Sequence, residues 1–247
     1  MRISIITPSR GRPDKLLRMA RSAWARADGP AEVEIIVGVD PPDAENYRRA
    51  VMEEINSGDK DFCHGMVLVM LPPDVAGKVG KAWDWMWKNH AYGDIALLGN
   101  DDIIFQTQGW DSKVYDAIES FPGRLGMVWC EDGINGGRHA AFPFVSRQWI
   151  EIVGHFTPGI FRFGYNDTWI FDVARRANLI RYLPEVTIEH LHFSAGKSPY
   201  DETYAAKRRD DTWESDHRLF ERTAVQRDSL AAGLIEAAKK AAENLGK

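Results

Sequence analysis

Apolar residues fall in short unbroken runs separated by longer stretches where they recur every three or four positions. Residues 3–7, 34–39, 66–71, 95–98 and 127–130 are such runs. The run 95–98 lacks the polar alternation of a half-exposed strand, which predicts a strand covered on both faces of a sheet, and 3–7 reads as another of this buried type. Between them, Leu16, Leu17, Ala20, Ala23, Trp24 and Ala27 keep helical spacing, as do Tyr47, Val51 and Ile55, and again Val79, Ala82, Trp83 and Met86. Pro13 suits a first helical turn and Asp43 an N-cap. The repeated strand–helix order predicts an α/β fold, a mostly parallel sheet flanked by helices.

The second half is less regular. A helix is predicted over 109–121, with Val114, Ala117 and Ile118 inward. The glycine-rich GINGGR stretch, 133–138, reads as a mobile loop, followed by a strand over 141–146 and a short helix over 147–153. The aromatic segment HFTPGIFRFGYND, 155–167, reads as a loop pinned by Phe156, Phe161 and Phe163 and able to line a cleft. Asn166 or Asp167 is placed to cap a helix carrying Ile170, Val173, Ala174 and Ala177. Strands are predicted over 180–183 and 186–193. In the second, His190 and His192 are two apart and share a face. Residues 194–211 are polar and read as a lid or ordered loop. From Thr212 one or two helices follow, with Leu219, Phe220, Leu234, Ile235 and Ala238 packing on the domain or on a partner chain, so a homo-oligomer through these helices is one expectation. The organisation is one domain over 1–193, with 194–247 appended to it and no internal repeat.

Candidate chemistry concentrates where strands end. In DIALLGNDDIIF the apolar run stops at Gly99, and Asn100, Asp101 and Asp102 follow at the carboxyl end of the strand, where open α/β sheets hold ligands. Adjacent carboxylates repel unless a cation joins them, which suits a divalent metal; an Asx-stabilised turn accounts for the same residues. Arg10 and Arg12 follow the first strand, where phosphate oxygens are their natural partners. Asp167, at a helix start, would be kept ionised by the helix dipole, as a general base requires. Two imidazoles on one strand face invite a metal. The GKVGK segment lacks P-loop spacing, and no GxGxxG follows a strand, which excludes two common phosphate-binding devices. Lys207, Arg208 and Arg209 form a tight basic cluster, either a solvated face or a phosphate contact.

Composition narrows the class. The chain has 247 residues, 44% of them hydrophobic, enough for a substantial core. A net charge of -5 argues against a generally basic nucleic-acid binder. Its two cysteines, Cys63 and Cys130, have no metal-ligand spacing and suggest no disulfide framework, so a reducing cytoplasm is expected. No apolar run approaches membrane-spanning length, and membrane insertion is not expected. Nine tryptophans serve stacking or core packing equally well.

The order of these motifs carries a resemblance. TPSRGRP after the first strand, Asp40 after the second, NDD after the central one, GYND before a helix and EHLHF beyond it together resemble a glycosyltransferase of the GT-A fold, close to the family 2 type, over about residues 1–193. The resemblance implies a Rossmann-like sheet, a nucleotide-sugar across the strand ends, and Mn2+ or Mg2+ held by a DxD-type motif. Carried over, Asp102 matches the metal-binding carboxylate. Asp101 matches a contact to ribose or metal, and Asn100 stands where a first aspartate is usual. Asp40 matches the residue that reads the base, while Thr7, Pro8 and Arg10, with Arg12 beside them, match the nucleotide wall. Asp167 matches the base of inverting members. His192, ahead of His190, matches a histidine completing the metal site. Short enzymes of this type also occur in bacteriophages, where some modify hydroxymethylated pyrimidines in DNA, which makes such DNA one expected acceptor. A metal-dependent phosphoesterase built on Asp101, Asp102, His190 and His192, and a nucleotide-sugar-binding protein without catalysis, are the competing expectations.

Overall fold

The computed structural model describes residues 1–29, 32–58, 65–201, 204–205 and 212–245. Eight strands form one mixed sheet in the order β3-β2-β1-β4-β7-β6-β8-β5. Its first half is parallel. β1 (Ile3–Ser9) pairs with β2 (Val33–Val39) on one side and β4 (Ile95–Leu98) on the other, and β2 pairs with β3 (Met66–Met70). Strands β1, β2 and β4 are buried on both faces because each feeds two cores, and the polar Ser4 of β1 is paired with Glu34 of β2. Ile5, Ile35 and Leu97 enter the core beneath α1 (Pro13–Ala25), α2 (Ala44–Asn56) and α4 (Trp110–Glu119); Ile6, Ile36 and Leu98 enter the opposite one, beneath α3 (Val79–His90).

From β1 the chain winds outward to β2 and β3, then returns to place β4 on the other side of β1. That reversal makes the carboxyl ends of β1 and β4 a topological switch point, where a crevice opens. The residues after β1 and those after β4 therefore face each other.

The second half is antiparallel in part. β7 (Phe144–Ser146) pairs antiparallel with β4 and with β6 (Met127–Glu131), which runs parallel to β8 (Ile180–His190). The two strands expected over 180–193 are one. Pro184, the apparent break, lies where the register of β6 and β8 shifts after Cys130, an irregularity that tolerates a missing N–H donor. A short β5 (Ile103–Phe105) follows the carboxylates and pairs antiparallel with the end of β8, so the aspartates lie in a tight connection between two strands. On α2 the buried face is Tyr47, Val51 and Glu54, not Ile55, which is 43% exposed. Glu54 receives Arg21 from α1, so an ion pair takes the place expected of an apolar residue.

The 133–138 loop is ordered by Asp132, whose Oδ1 accepts backbone N–H groups from Ile134 (2.8 Å), Asn135 (2.6 Å) and Gly136 (3.3 Å). The short helix α5 (Arg147–Val153) is capped by Ser146, whose Oγ accepts the Trp149 N–H. Two C-terminal helices, α7 (Thr212–Arg222) and α8 (Ala224–Leu245), follow, and Ala231, Leu234 and Ala238 of α8 join the core beside α6 (Asn166–Ala177). Among the described residues no helix is long and apolar enough to cross a membrane.

One buried ion network ties α8 to α6. Arg227, 2% exposed, donates from Nε to Asp172 Oδ2 at 2.7 Å, and the same carboxylate receives Arg176 (2.7 Å) and Arg175 (3.0 Å). Burial alone would raise the Asp172 pKa, but these three guanidinium bonds hold it below the usual carboxylate range. Its contribution to stability is therefore present at neutral pH and lost as pH falls below that range. Asp172→Ala leaves Arg227 buried and without its carboxylate, and should lower unfolding free energy by about 3 kcal/mol. Urea unfolding at pH 7 measures this, and the gap between wild type and variant should close at low pH.

Candidate functional site

At the switch point the end of β1 meets the β4–β5 connection through a chain of hydrogen bonds. The Arg12 N–H donates to Tyr47 Oη (2.9 Å), Tyr47 and Ser9 hydroxyls lie 2.6 Å apart, and Ser9 Oγ donates to Asp101 Oδ2 (2.6 Å). Asp101 and Asp102 are 6% and 4% exposed, and the cation that joins them is Arg12, itself 8% exposed. Its Nη1 lies 3.3 Å from Asp101 Oδ1 and 3.7 Å from Asp102 Oδ2. Burial, then the Asp102 charge, pushes the Asp101 pKa up to about 6, against the opposing bonds from Ser9 and Arg12. Burial works against the charged guanidinium, but Asp201 and Asp101 outweigh it and hold Arg12 protonated.

The polar segment after β8 closes over this cluster. Asp201 takes Arg12 Nη2 and Lys15 Nζ, the latter at 3.2 Å. Tyr204, 2% exposed, donates its hydroxyl to Asp102 Oδ2 at 2.7 Å and lies under the Arg12 guanidinium, 4.3 Å from its ring centroid. Burial and then Asp102 push the Tyr204 pKa up to about 12. His190 Nε2 stands 3.5 Å from Asp102 Oδ1, longer than a good hydrogen bond, and its Nδ1 is buried with no hydrogen-bond partner. His192 lies past the end of β8, where its Nδ1 meets Ser194 Oγ at 2.7 Å and its ring meets Tyr204. Among the described residues no group of three His, Cys, Asp or Glu side chains could by itself hold a metal ion.

A cavity of about 490 Å³ runs from these carboxylates across the strand ends. Its floor is apolar, made by Pro8, Gly38, Leu71, Ala82, Trp83 and Leu98. A Cβ on Gly38 would come within 2.6 Å of Met86 Sδ and 2.9 Å of Leu71, so the floor is tightly packed there. Arg10 and Asp40 also line it, and Asp40 Oδ1 accepts the Gly77 N–H (2.9 Å), tying the loop after β3 to the end of β2. Thr7 lies below the cavity, fully buried beside Gly99, where a Cβ would meet its Oγ1 at 2.6 Å.

Asp167 stands in another wall of the same cavity, with His139, Asn166 and Tyr165. Neither Asn166 nor Asp167 is the N-cap; Tyr165 holds that position with φ 63°, and the two polar residues are already inside α6. Asp167 Oδ1 accepts its neighbour Thr168 N–H (2.8 Å), and Oδ2 lies 3.0 Å from His139 Nε2. Burial would lower the His139 pKa, but the hydrogen bond and charge of Asp167 raise it. Sequence reasoning missed His139, which is 28 positions from Asp167. It also missed Ser9, Tyr47, Asp201 and Tyr204, whose partners are remote in the chain. The basic cluster Lys207, Arg208 and Arg209 lies outside the described residues.

No family model matches the sequence, and no curated protein matches it. Solved structures do match in fold. A mannosyltransferase, PcManGT from Pyrobaculum calidifontis in complex with GDP-Man and Mn2+, aligns with a TM-score of 0.58 at 15% identity over 99% of this chain and 78% of that one. S. aureus TarS 1–349 in complex with UDP-GlcNAc aligns with a TM-score of 0.57 at 14% identity over 83% of this chain and 64% of that one. GalNAc-T7 with UDP, GalNAc and Mn2+ gives 0.60 at 12% identity over 98% of this chain but only 54% of that one. The chain thus has the GT-A glycosyltransferase fold.

The raised His139 pKa has a direct check. In a proton NMR titration the imidazole should titrate above its ordinary 6.5 in the wild type. In Asp167→Asn burial is opposed only by the Asp132 charge, and the midpoint should fall relative to the wild type. An unchanged midpoint would show that the two side chains do not interact in solution.

Proposed function

We propose that this protein is an inverting glycosyltransferase that moves a sugar from a nucleotide-sugar to an acceptor hydroxyl with the help of a divalent metal. What carries the reading is one cavity at the switch point that joins the buried carboxylates after β4 to the Asp167–His139 pair. In this reading Pro8, Arg10 and Asp40 hold the nucleoside, and Asp101 meets the ribose. Arg12 holds the Asp101–Asp102 pair and brings positive charge to the diphosphate end, beside Lys15.

The residues present fit a metal as a partial site. Asp102 and His190 face each other at 3.5 Å, and diphosphate oxygens would complete the ligand set. When bound, the metal supplies charge against the departing nucleoside diphosphate. Asp167 accepts the acceptor hydroxyl proton as the oxygen attacks the anomeric carbon and the bond to the diphosphate breaks. His139 orients that carboxylate, and when doubly protonated it holds it in an ion pair that competes with the acceptor hydroxyl. The phosphoesterase reading loses ground, because Arg12 stands between Asp101 and Asp102 and His192 is engaged with Ser194. An acceptor in hydroxymethylated DNA would draw its phosphate contacts from Lys207, Arg208 and Arg209, and its signature is transfer that falls steeply with salt. A reducing, cytoplasmic setting belongs to the same proposal, since Cys130 is buried and free.

Three outcomes test the assignment. Asp102→Ala should abolish Mn2+-dependent binding of nucleoside diphosphate in calorimetry, and His190→Ala should weaken it more than His192→Ala. Asp167→Asn should lower kcat by about 10²–10⁴ while donor KM stays within severalfold. The wild-type rate should rise with pH through the raised imidazole pKa of His139, and His139→Gln should abolish that limb. Nucleoside diphosphate affinity that is indifferent to Asp102 would overturn the metal assignment.

A further inference from the structure

The cavity wall beyond Asp167 is aromatic, and its construction is specific. Tyr165, immediately before α6, has a left-handed backbone at φ 63°, a conformation that a bulky side chain adopts only when its surroundings impose it. Its ring is fixed by Phe220 (centroids 5.3 Å apart) and His217, whose Nδ1 lies 3.0 Å from the Tyr165 hydroxyl. Trp213 of α7 lies 5.1 Å from the same ring at an interplanar angle of 43° and is 62% exposed. It is held in place nonetheless. A Cβ on Gly164 would meet the indole at 2.8 Å, so the ring lies directly on that backbone. One turn later Asp216, 4% exposed, accepts the N–H groups of Arg162 (3.0 Å), Phe163 (2.9 Å) and Gly164 (3.0 Å), which locks α7 onto the aromatic loop.

An indole this exposed yet this well positioned, in a ligand cavity, has a face to offer. We propose that Trp213 and Tyr165 form a stacking platform for a pyranose ring, so that the acceptor is a carbohydrate whose hydroxyl is presented to Asp167; the assignment rests on the glycosyltransferase reading above. The chemistry of the wall selects this class. A pyranose shows C–H groups on one face, which the negative faces of aromatic rings attract, and hydroxyls around its rim. The rim partners are present in Asp167 and His139, with Asn166 in the same wall. The 43° angle makes a V, not a parallel slot. The rings are too close for a ligand to slide between them, so the open indole face of Trp213 carries the stacking and Tyr165 borders it. A serine or threonine side chain has no ring face to cover either.

Saturation-transfer NMR on the full chain tests this, with methyl glucosides, galactosides and mannosides as probes beside a DNA oligonucleotide containing hydroxymethylcytosine and a Ser/Thr peptide. Ring C–H protons of at least one glycoside should be saturated. Trp213→Ala should weaken that glycoside about tenfold or more, while Trp213→Phe, which keeps an aromatic face, should restore most of the signal. Circular dichroism confirms that both variants fold. The platform is overturned if no glycoside binds, if Trp213→Ala binds as well as wild type, or if the oligonucleotide or peptide alone gives the signal. Calorimetry of the wild type with UDP and with GDP reports separately on the donor site. Glycoside binding without nucleotide binding would defeat the transferase reading and leave the platform, and the reverse would defeat only the platform.

Discussion

Two adjacent carboxylates buried at the end of a central strand are the constraint around which this molecule is arranged. Asp101 and Asp102 would repel each other strongly out of water, and the fold answers with a guanidinium from the loop after the neighbouring strand. That one pairing sets much else. Arg12 must reach across from β1, so the loop is anchored by Tyr47 from α2. The guanidinium has donors left over, so Asp201 is drawn in, and Tyr204 covers both the cation and Asp102. Four separate parts of the chain therefore meet at one charge cluster, and all of them lie at the switch point of the sheet.

The balance of charge there bears on chemistry as much as on stability. Asp101 sits with its pKa near 6 because burial and a like charge outweigh the help of Ser9 and Arg12. A carboxylate pair so poised is sensitive to added positive charge, and one held by an arginine does not collapse without it. Electrostatic stabilisation of a leaving diphosphate needs charges already fixed before the reaction begins. Arg12 and Lys15 are both held by Asp201, and in the proposed reaction a diphosphate would have to share or displace those contacts.

What the sequence disclosed follows physical range. The central strands were readable because burial on both faces leaves short apolar runs bounded by turn residues, and the bounds of α5 match those expected, with Ser146 capping it locally. The place of the carboxylates was readable for the same reason, since strand ends are local. Their partner was not. Arg12 is 89 positions from Asp101, and Tyr204 is 102 from Asp102, so sequence suggested a cation without saying that the chain supplied one. His139 escaped for the same reason. It follows a glycine-rich stretch whose local signal is flexibility, and Asp132, holding three backbone N–H groups, with Glu131 and Trp129, turns that stretch into a fixed mount. The strand over 180–190 was divided because Pro184 is locally a breaker, and the irregular pairing that tolerates it is tertiary.

The C-terminal helices extend the same logic to the other end of the cavity. Polar character made 194–211 read as a lid and the helices beyond it as packing elements. Their contacts place them in the site itself. Asp216 gathers three N–H groups of the aromatic loop immediately before Tyr165, whose backbone is left-handed. Asp167 is two residues further on, so the position of the proposed base depends on a carboxylate 49 residues later in sequence, just as Asp102 depends on Tyr204. Each end of the cavity is thus completed by the segment after β8. In the proposed reading the strand ends receive the nucleotide, while the opposite wall, with His139, Tyr165, Asn166 and Asp167, is completed by Trp213 from the segment after β8, so that segment is where a choice of acceptor would be made.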